Sequence, residues 1–522
     1  MKNHQKEDLR TRRDFLRQSA CAALGYTGLV NALAQMRLMT AAMAAGPVDS
    51  GYKALVCLFL NGGHDANNFL VPAGDPASDG LRADYAAGRG ILALDRATLK
   101  PLTVPAATRA FARHHGSALP AMGLHPQAGG LADLFNAKKL ALVANVGTLA
   151  FPVASRADYL SGAVPLPPQL FSHSDQQTQW QSSISDRPFS SGWGGRAADL
   201  LNASYNSATA SKVSMSISLS GVNSFQVGTS GHVTQYVMQS SGSSPLAGFD
   251  YILGDGNPYD LALNADGSYR TDRDSGKRLK AFDDIMKLTR ANLHEQEYGR
   301  IVTRARATEG TVGAALTAAS ASGVDFDTLF AGATTSLGNQ LKMVAKLIAG
   351  RGTLGNNRQI FFCQVGGYDT HQSLLTSHAN LVGELDHSLK AFHDTLQALG
   401  VWDNVVAFTA SDFNRTFTPN DNNAASAGTD HAWGGHTLVM GGAVKGGDLY
   451  GHFPSLKTGS AAGSIDSGAT RGRWIPDVSV DQYASVLTSW MGAGRNELEA
   501  IFPNLGRFDD PFTTSSPNLG FL

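Results

Sequence analysis

Cysteine is nearly absent: Cys21, Cys57 and Cys363 are the only three among 522 residues. They leave no disulfide framework and no cysteine-based zinc site. Cys57 and Cys363 each lie inside an apolar run, where a free thiol behaves as a small hydrophobe, and ladder geometry disfavours a bond between them. Charged side chains are also sparse, at 16% against 43% hydrophobic, which excludes a disordered chain and indicates a well-buried globular one. No stretch after the first residues approaches the ~20 apolar positions of a membrane span. No Gly-x-Gly-x-x-Gly follows a strand-like segment, so the dinucleotide fingerprint is missing. No internal repeat is visible.

The net charge of −1 hides a split. Residues 1–45 carry seven basic and three acidic side chains, a local +4 that leaves −5 on the remainder. A mildly acidic body argues against nucleic acid as the partner. The basic end has an ordered pattern: Thr11-Arg12-Arg13-Asp14-Phe15-Leu16-Arg17, a moderately apolar segment over 20–33, then small residues around 41–46. It resembles a twin-arginine (Tat) signal peptide with cleavage at Ala42-Met43-Ala44 or close by; the alternative is a basic amphipathic helix. The resemblance implies the Tat translocase as a partner during export, a periplasmic or secreted location, and no stable membrane span after cleavage.

Four apolar runs then carry the chemistry. Residues 54–60 lead to Asp65, 360–365 to Asp369 and His371, and 405–409 to Asp412, while 437–440 are entered through Asp430, His431 and His436. Each run has the length and Val/Leu/Phe content of a buried strand, with Gly or Ser–Asp chemistry at its end. In an open parallel sheet the carboxyl ends of strands share one edge, where ligands bind. Asp and His are ligands for divalent ions, and a pair of ions can hold both oxygens of an in-line displacement. We therefore expect Asp65, Asp369, His371, Asp412, His431 and His436 to hold one or two divalent metals, with zinc, manganese, magnesium and calcium not separable. Singly, each has a structural reading: Asp412 caps a turn, or Asp65 holds an Asx bond. Four strand ends loaded this way are harder to explain as capping.

The pattern along the chain predicts a signal peptide over 1–45, a first part of an α/β core over 46–219, an insertion or cap over 220–335, a second core part over 336–505, and a loose tail over 506–522. Further strands are expected at 140–146 and 213–219. Helices are expected in the 124–135 segment after His125-Pro126 and ending before Lys138-Lys139, from 171 through Trp180, from 192, at 277–306, at 336–349, at 373–399 and within 474–502. Ser172 opens the polar helix beside His173. It reads either as a hydroxyl nucleophile at a helix N-terminus or, with Asp175 three residues on, as a capping box. Arg415 either clamps an anionic oxygen or pairs with Asp412 or Asp421.

Four motifs together carry a resemblance: Gly62-Gly63-x-Asp65-x-x-Asn68, Gly366-Gly367-Tyr368-Asp369-Thr370-His371, Ser411-Asp412-Phe413-x-Arg415-Thr416 and Gly428-Thr429-Asp430-His431-x-x-Gly434-Gly435. They resemble a Tat-exported family, domain of unknown function fifteen-oh-one, which is distantly similar to the alkaline phosphatase and sulfatase superfamily. The resemblance runs from about residue 55 to 502, with a divergent middle. It implies a doubly wound, mostly parallel α/β sheet with helices on both faces, an alkaline-phosphatase-like core and a metal cluster at the carboxyl edge. One metal would take Asp65 and Asp412 with a nucleophile; the other would take Asp369, His371 and either His431 or His436. The chain departs from the pattern at Phe413, where relatives carry His, and in the short Asp369–His371 spacing. Neither cysteine has the Cys-x-Pro/Ala-x-Arg context of formylglycine sulfatases, so that chemistry is excluded. The expectation is a metal-dependent hydrolase acting on a small phosphate or sulfate ester through Ser172, His173 and Arg415. The alternative is an exported binding or assembly protein that keeps the fold with a degenerate site.

Overall fold

The computed structural model describes residues 51–522 apart from 117–118, 207–212, 230–232, 243–248, 250–258, 265, 289–291, 460–462, 469 and 514–518. The segment read as a signal peptide, 1–45, and its cleavage site lie outside the described residues. No helix among the described residues is long and apolar enough to cross a membrane.

The long apolar runs become the centre of a nine-stranded sheet. Its strands are Lys53–Leu60 (β1), Leu140–Gly147 (β5), Ser216–Ser218 (β6), Tyr236–Val237 (β7), Arg358–Val365 (β8), Val405–Ser411 (β9), Gly435–Gly441 (β10), Leu449–Gly451 (β11) and Val478–Ser479 (β12). Leu70–Pro72 (β2), Lys100–Leu102 (β3) and Met122–Leu124 (β4) form a separate small antiparallel sheet. The large sheet runs β11-β5-β10-β9-β1-β8-β6-β7, with β12 also pairing β5. Every pair is parallel except those of β10, which is antiparallel to both β5 and β9. The sheet is therefore mixed, and mostly parallel as expected.

Alternation along β1 explains why its sequence has no polar position after Lys53. Ala54, Val56, Leu58 and Leu60 enter one core, and Leu55, Cys57 and Phe59 enter the other. Buried on both faces, such a strand reads as a continuous apolar run. Truncating Leu58 to alanine removes a fully buried side chain at a cost of about 2–5 kcal/mol. Cys57 and Cys363 fall in opposite cores and are both free, so no bond joins them.

Helices cover both faces. Ser336–Ala349 and Leu374–Ala398 pack on the first; the latter buries Leu385, Leu389, Phe392 and Leu396 at helical spacing. Thr335 caps the former by accepting from Gly338 N, and Gly350 ends it. Trp193–Tyr205, Val480–Met491 and Arg495–Ile501 cover the second face. Within the region read as an insertion, the helix Leu293–Ser320 buries Val312, Ala315 and Ala319 in the first core. The tail is not loose throughout: Leu519 and Phe521 are fully buried, and Phe521 packs on Tyr450 and Tyr483.

What positions the site is register. Leu60 stands opposite Val365 of β8 and Ser411 of β9, so three parallel strands end level. Because β10 runs the other way, its entry lies at the same edge.

Candidate metal centre

Tight turns follow each strand end. After β1, Gly62 and Gly63 take φ of +112° and +88°, open to glycine and strained for other residues. A Cβ on Gly62 would strike the backbone amide of Asp369, and one on Gly63 would lie 2.6 Å from the Phe413 ring. The chain thus lets the loops after β1, β8 and β9 touch.

Asp369, after β8, lies at the centre. Its Oδ1 is 3.1 Å from His371 Nε2 and 3.3 Å from His431 Nε2, and its Oδ2 is 3.5 Å from His173 Nε2. The two Nε2 atoms of His371 and His431 are 3.0 Å apart. Ligands sharing one tetrahedral zinc at about 2.0–2.2 Å stand roughly 3.3–3.6 Å from each other, so these spacings lie near those around a common cation.

The other ring nitrogens decide which atoms face inward. His431 Nδ1 is 2.7 Å from the Phe171 carbonyl, which can only accept, so Nδ1 carries the proton and Nε2 presents a lone pair. His371 Nδ1 faces Asp430 Oδ1 at 3.3 Å, an arrangement that favours the same tautomer. His173 Nδ1 donates to Asp412 Oδ2 at 2.7 Å, while its Nε2 is buried without a hydrogen-bond partner. Imidazole lone pairs and a carboxylate converge, each ring oriented from behind by an oxygen acceptor, as ligating histidines are. Among the described residues, His173, Asp369 and His431 form a group whose ligand atoms all lie within 4.8 Å of one another. His371 adjoins it through the two short contacts.

The electrostatics agree with the geometry. Burial pushes His431 down, keeping it neutral and able to ligate. The hydrogen bond to Asp412 outweighs burial and raises His173. Burial tends to raise Asp369, but the Arg415 hydrogen bond and charge hold it below the usual carboxylate range. Asp369 remains 45% exposed, so solvent reaches the cluster.

Other nominated residues lie elsewhere or act differently. Asp65 is fully buried, pairs through Oδ2 with Arg89, 2.5 Å away, and lies outside the group of His173, Asp369 and His431, while its Oδ1 has no hydrogen-bond partner. Arg89 also donates to Asn68 Oδ1, Thr416 O and Phe417 O, which anchors it. His436 turns toward the sheet: its Nδ1 accepts from Asn145 N, its ring stacks on Phe453, and burial pushes it down to about 3. It sits within β10 rather than on the loop before it, which is why it misses the edge. Asp412 is buried behind His173 and also accepts from Gly62 N and Gln177 Nε2. Arg415 is fully buried, with donors engaged by Asp369, Gly62 and Thr429, so it braces the site from within instead of meeting an exposed anion. Ser172 stands at the N-cap position, but makes no capping bond to the backbone; its hydroxyl donates to Asp175 Oδ2 at 2.6 Å. Phe413 packs on His173 and His431, with ring centroids at 4.8 and 4.6 Å.

Sequence reasoning missed four contributors. Gln177 follows His173 by one helical turn, a spacing that placed both on one face and was readable. Asp430 stood in the fourth motif without an assigned role. Arg89 and the Phe171 carbonyl left no local signal. Phe171 takes φ +74°, an outlier for an aromatic residue, and Arg473 lies over its ring at 4.8 Å. Strain of this kind persists where the surroundings hold it, often at functional sites.

Fold and site together define an α/β protein with a candidate metal-binding cluster at the edge where its central strands end. Residues 52–466 match the family described as Protein of unknown function (DUF1501), and the chain belongs to that family. No curated protein and no solved structure matches the chain.

Proposed function

We propose that the chain is an exported metal-dependent hydrolase of small phosphate or sulfate esters, with His173, Asp369, His371 and His431 holding a divalent ion. The observation that carries this reading is the convergence of imidazole Nε2 atoms on Asp369, with Nδ1 of each ring turned to an oxygen acceptor. That donor set suits zinc or manganese better than calcium, which prefers oxygens. A divalent ion bound there supplies Lewis acidity toward an ester oxygen and lowers the pKa of water.

The protein's own part is orientation. Asp412, Asp430 and the Phe171 carbonyl hold the three rings, and Arg415 holds Asp369. His173, pulled up by Asp412, is placed to hold or release a proton at Nε2 when it is not ligating. Ser172 remains a candidate nucleophile, with Asp175 as its acceptor. Export through the Tat pathway rests on Arg12-Arg13, Phe15-Leu16 and the small residues at 42–44.

A second reading is favoured by one specific observation: the nominated anion clamp, Arg415, is inaccessible. On that reading the chain is an exported module that holds an ion without turnover. Elemental analysis of the purified protein with a panel of monoesters and diesters separates the two. Stoichiometric metal, with turnover abolished by Asp369→Ala, supports the hydrolase; bound metal with no turnover on any ester supports the module; metal-free, inert protein refutes both.

A further inference from the structure

Resting on the hydrolase reading above, we infer that Arg471 is the residue that takes the anionic group of the substrate, and that the substrate it fits is a monoester. Arg415 is enclosed, with its donors engaged by Asp369, Gly62 and Thr429. Arg471 is 53% exposed and stands one carboxylate away from the cluster. Its Nη1 is 3.5 Å from Asp430 Oδ2, while Asp430 Oδ1 is 3.3 Å from His371 Nδ1.

The side chain is loosely held and the backbone beneath it is not. Among the described residues the Arg471 guanidinium makes this one long ion pair and no hydrogen bond. Such a half-exposed pair contributes little to stability, so a ligand displaces it at small cost. The main chain takes φ +73°, a sparsely populated conformation for a residue with a long side chain. It is held there by Thr418: Arg471 N donates to Thr418 Oγ1 at 2.6 Å, and Thr418 N donates to Arg471 O at 3.0 Å. Thr416 holds Asp430 in the same way, its N donating to Asp430 O and its Oγ1 accepting from Asp430 N. One segment, 416–418, therefore fixes both partners directly after Arg415.

A guanidinium is a planar fork that binds two oxygens of one anion side by side. With one terminal oxygen on the ion, a phosphate or sulfate monoester keeps two for the fork. A phosphodiester has two terminal oxygens in all and keeps one. Arg471 thus adds more to the binding of a monoester than to that of a diester.

The full chain, loaded with Zn²⁺ and desalted, is titrated calorimetrically with methyl phosphate, methyl sulfate and dimethyl phosphate. Arg471→Asn removes the fork but keeps a residue that tolerates the left-handed backbone, and it should retain zinc as the parent does. It should bind the monoesters at least about tenfold more weakly and dimethyl phosphate less than about threefold more weakly. Arg471→Lys, with the charge but no fork, should recover part of the loss. Monoester affinities equal in the parent and Arg471→Asn would overturn the assignment, and equal losses for monoester and diester would overturn the monoester preference; either leaves the metal centre standing. A zinc-loaded parent that binds none of the three anions overturns this inference and counts against the ester reading. No retained zinc in the parent removes the centre itself, and this inference with it. Should Arg471→Asn fail to fold, Arg471→Lys decides, by whether its loss falls on the monoesters.

Discussion

Asp412→Ala tests whether a carboxylate behind a ligand controls the ion. Asp412 does not face the cluster; it accepts from His173 Nδ1 at 2.7 Å, Gln177 Nε2 at 2.9 Å and Gly62 N at 3.2 Å. Without it, His173 is free to carry its proton on Nε2, which removes a lone pair from the site. Loss of such an outer partner weakens metal binding by roughly 10–100-fold, or about 1.4–2.7 kcal/mol. A separate effect falls on the apo fold. The Gly62 amide and the Gln177 side chain lose their acceptor, at about 1–3 kcal/mol for a buried unsatisfied group. Competition of Zn²⁺ against a chromophoric chelator measures the first, and denaturant unfolding in chelator measures the second. Asp369→Ala provides the reference for loss of a direct ligand. Unchanged affinity in Asp412→Ala would refute the orienting role. A loss as complete as that of Asp369→Ala would show instead that Asp412 ligates the ion itself.

Three further outcomes follow from other parts of the molecule. Burial pushes Asp481 up to about 7 from 3.8, so the folded state holds a proton that the unfolded state releases. Its contribution is therefore fully present below about pH 4 and is lost as pH rises to about 7, a change of a few kcal/mol; in Asp481→Asn, denaturant midpoints should lose this downward slope. Gly62→Ala, at φ +112° and against the Asp369 amide, should cost about 1–3 kcal/mol and displace the Asp369 loop, read as a lower melting temperature together with weaker zinc binding. Phe413→His places an imidazole against His173 and His431 and should tighten zinc about tenfold in isothermal titration, while lost packing on Gly63 lowers apo stability by about 1–2 kcal/mol.

The central strands were legible because burial on both faces leaves apolar runs at their cores, as at residues 54–60 of the first and 360–363 of Arg358–Val365. The helix Ser336–Ala349 was read to the residue, since a Thr cap and a terminal Gly bracket an amphipathic repeat. Expectation and structure part where local pattern is ambiguous. The helix expected after His125-Pro126 and before Lys138 forms at Gly129–Asn136, but the short strand Met122–Leu124 ahead of it, which joins the small sheet, carried no pattern long enough to read. The alternating stretch at 213–219 yields only Ser216–Ser218 as strand.

In the site, Asp369, His371, Asp412 and His431 were visible as polar residues beside strand ends, and all four meet there. Asp65 carried the same signature but meets Arg89 of the Gly80–Arg89 helix, and no spacing rule foretells a buried ion pair between a turn and a distant helix end. His436 lies apart from the cluster for a different reason: whether a histidine near a strand start lies on the loop or within the pleat changes which way it points.

His173 and His431 stand 258 positions apart, about half of the chain's length, yet their nitrogens face one carboxylate. No short peptide fragment can therefore present this set of donors, and only a completed fold selects among cations. If the cluster holds an ion as proposed, whichever compartment hosts the final folding step would also dictate, through its pool of available ions, the identity of the one captured. Transport in an already folded state would carry that choice onward unchanged.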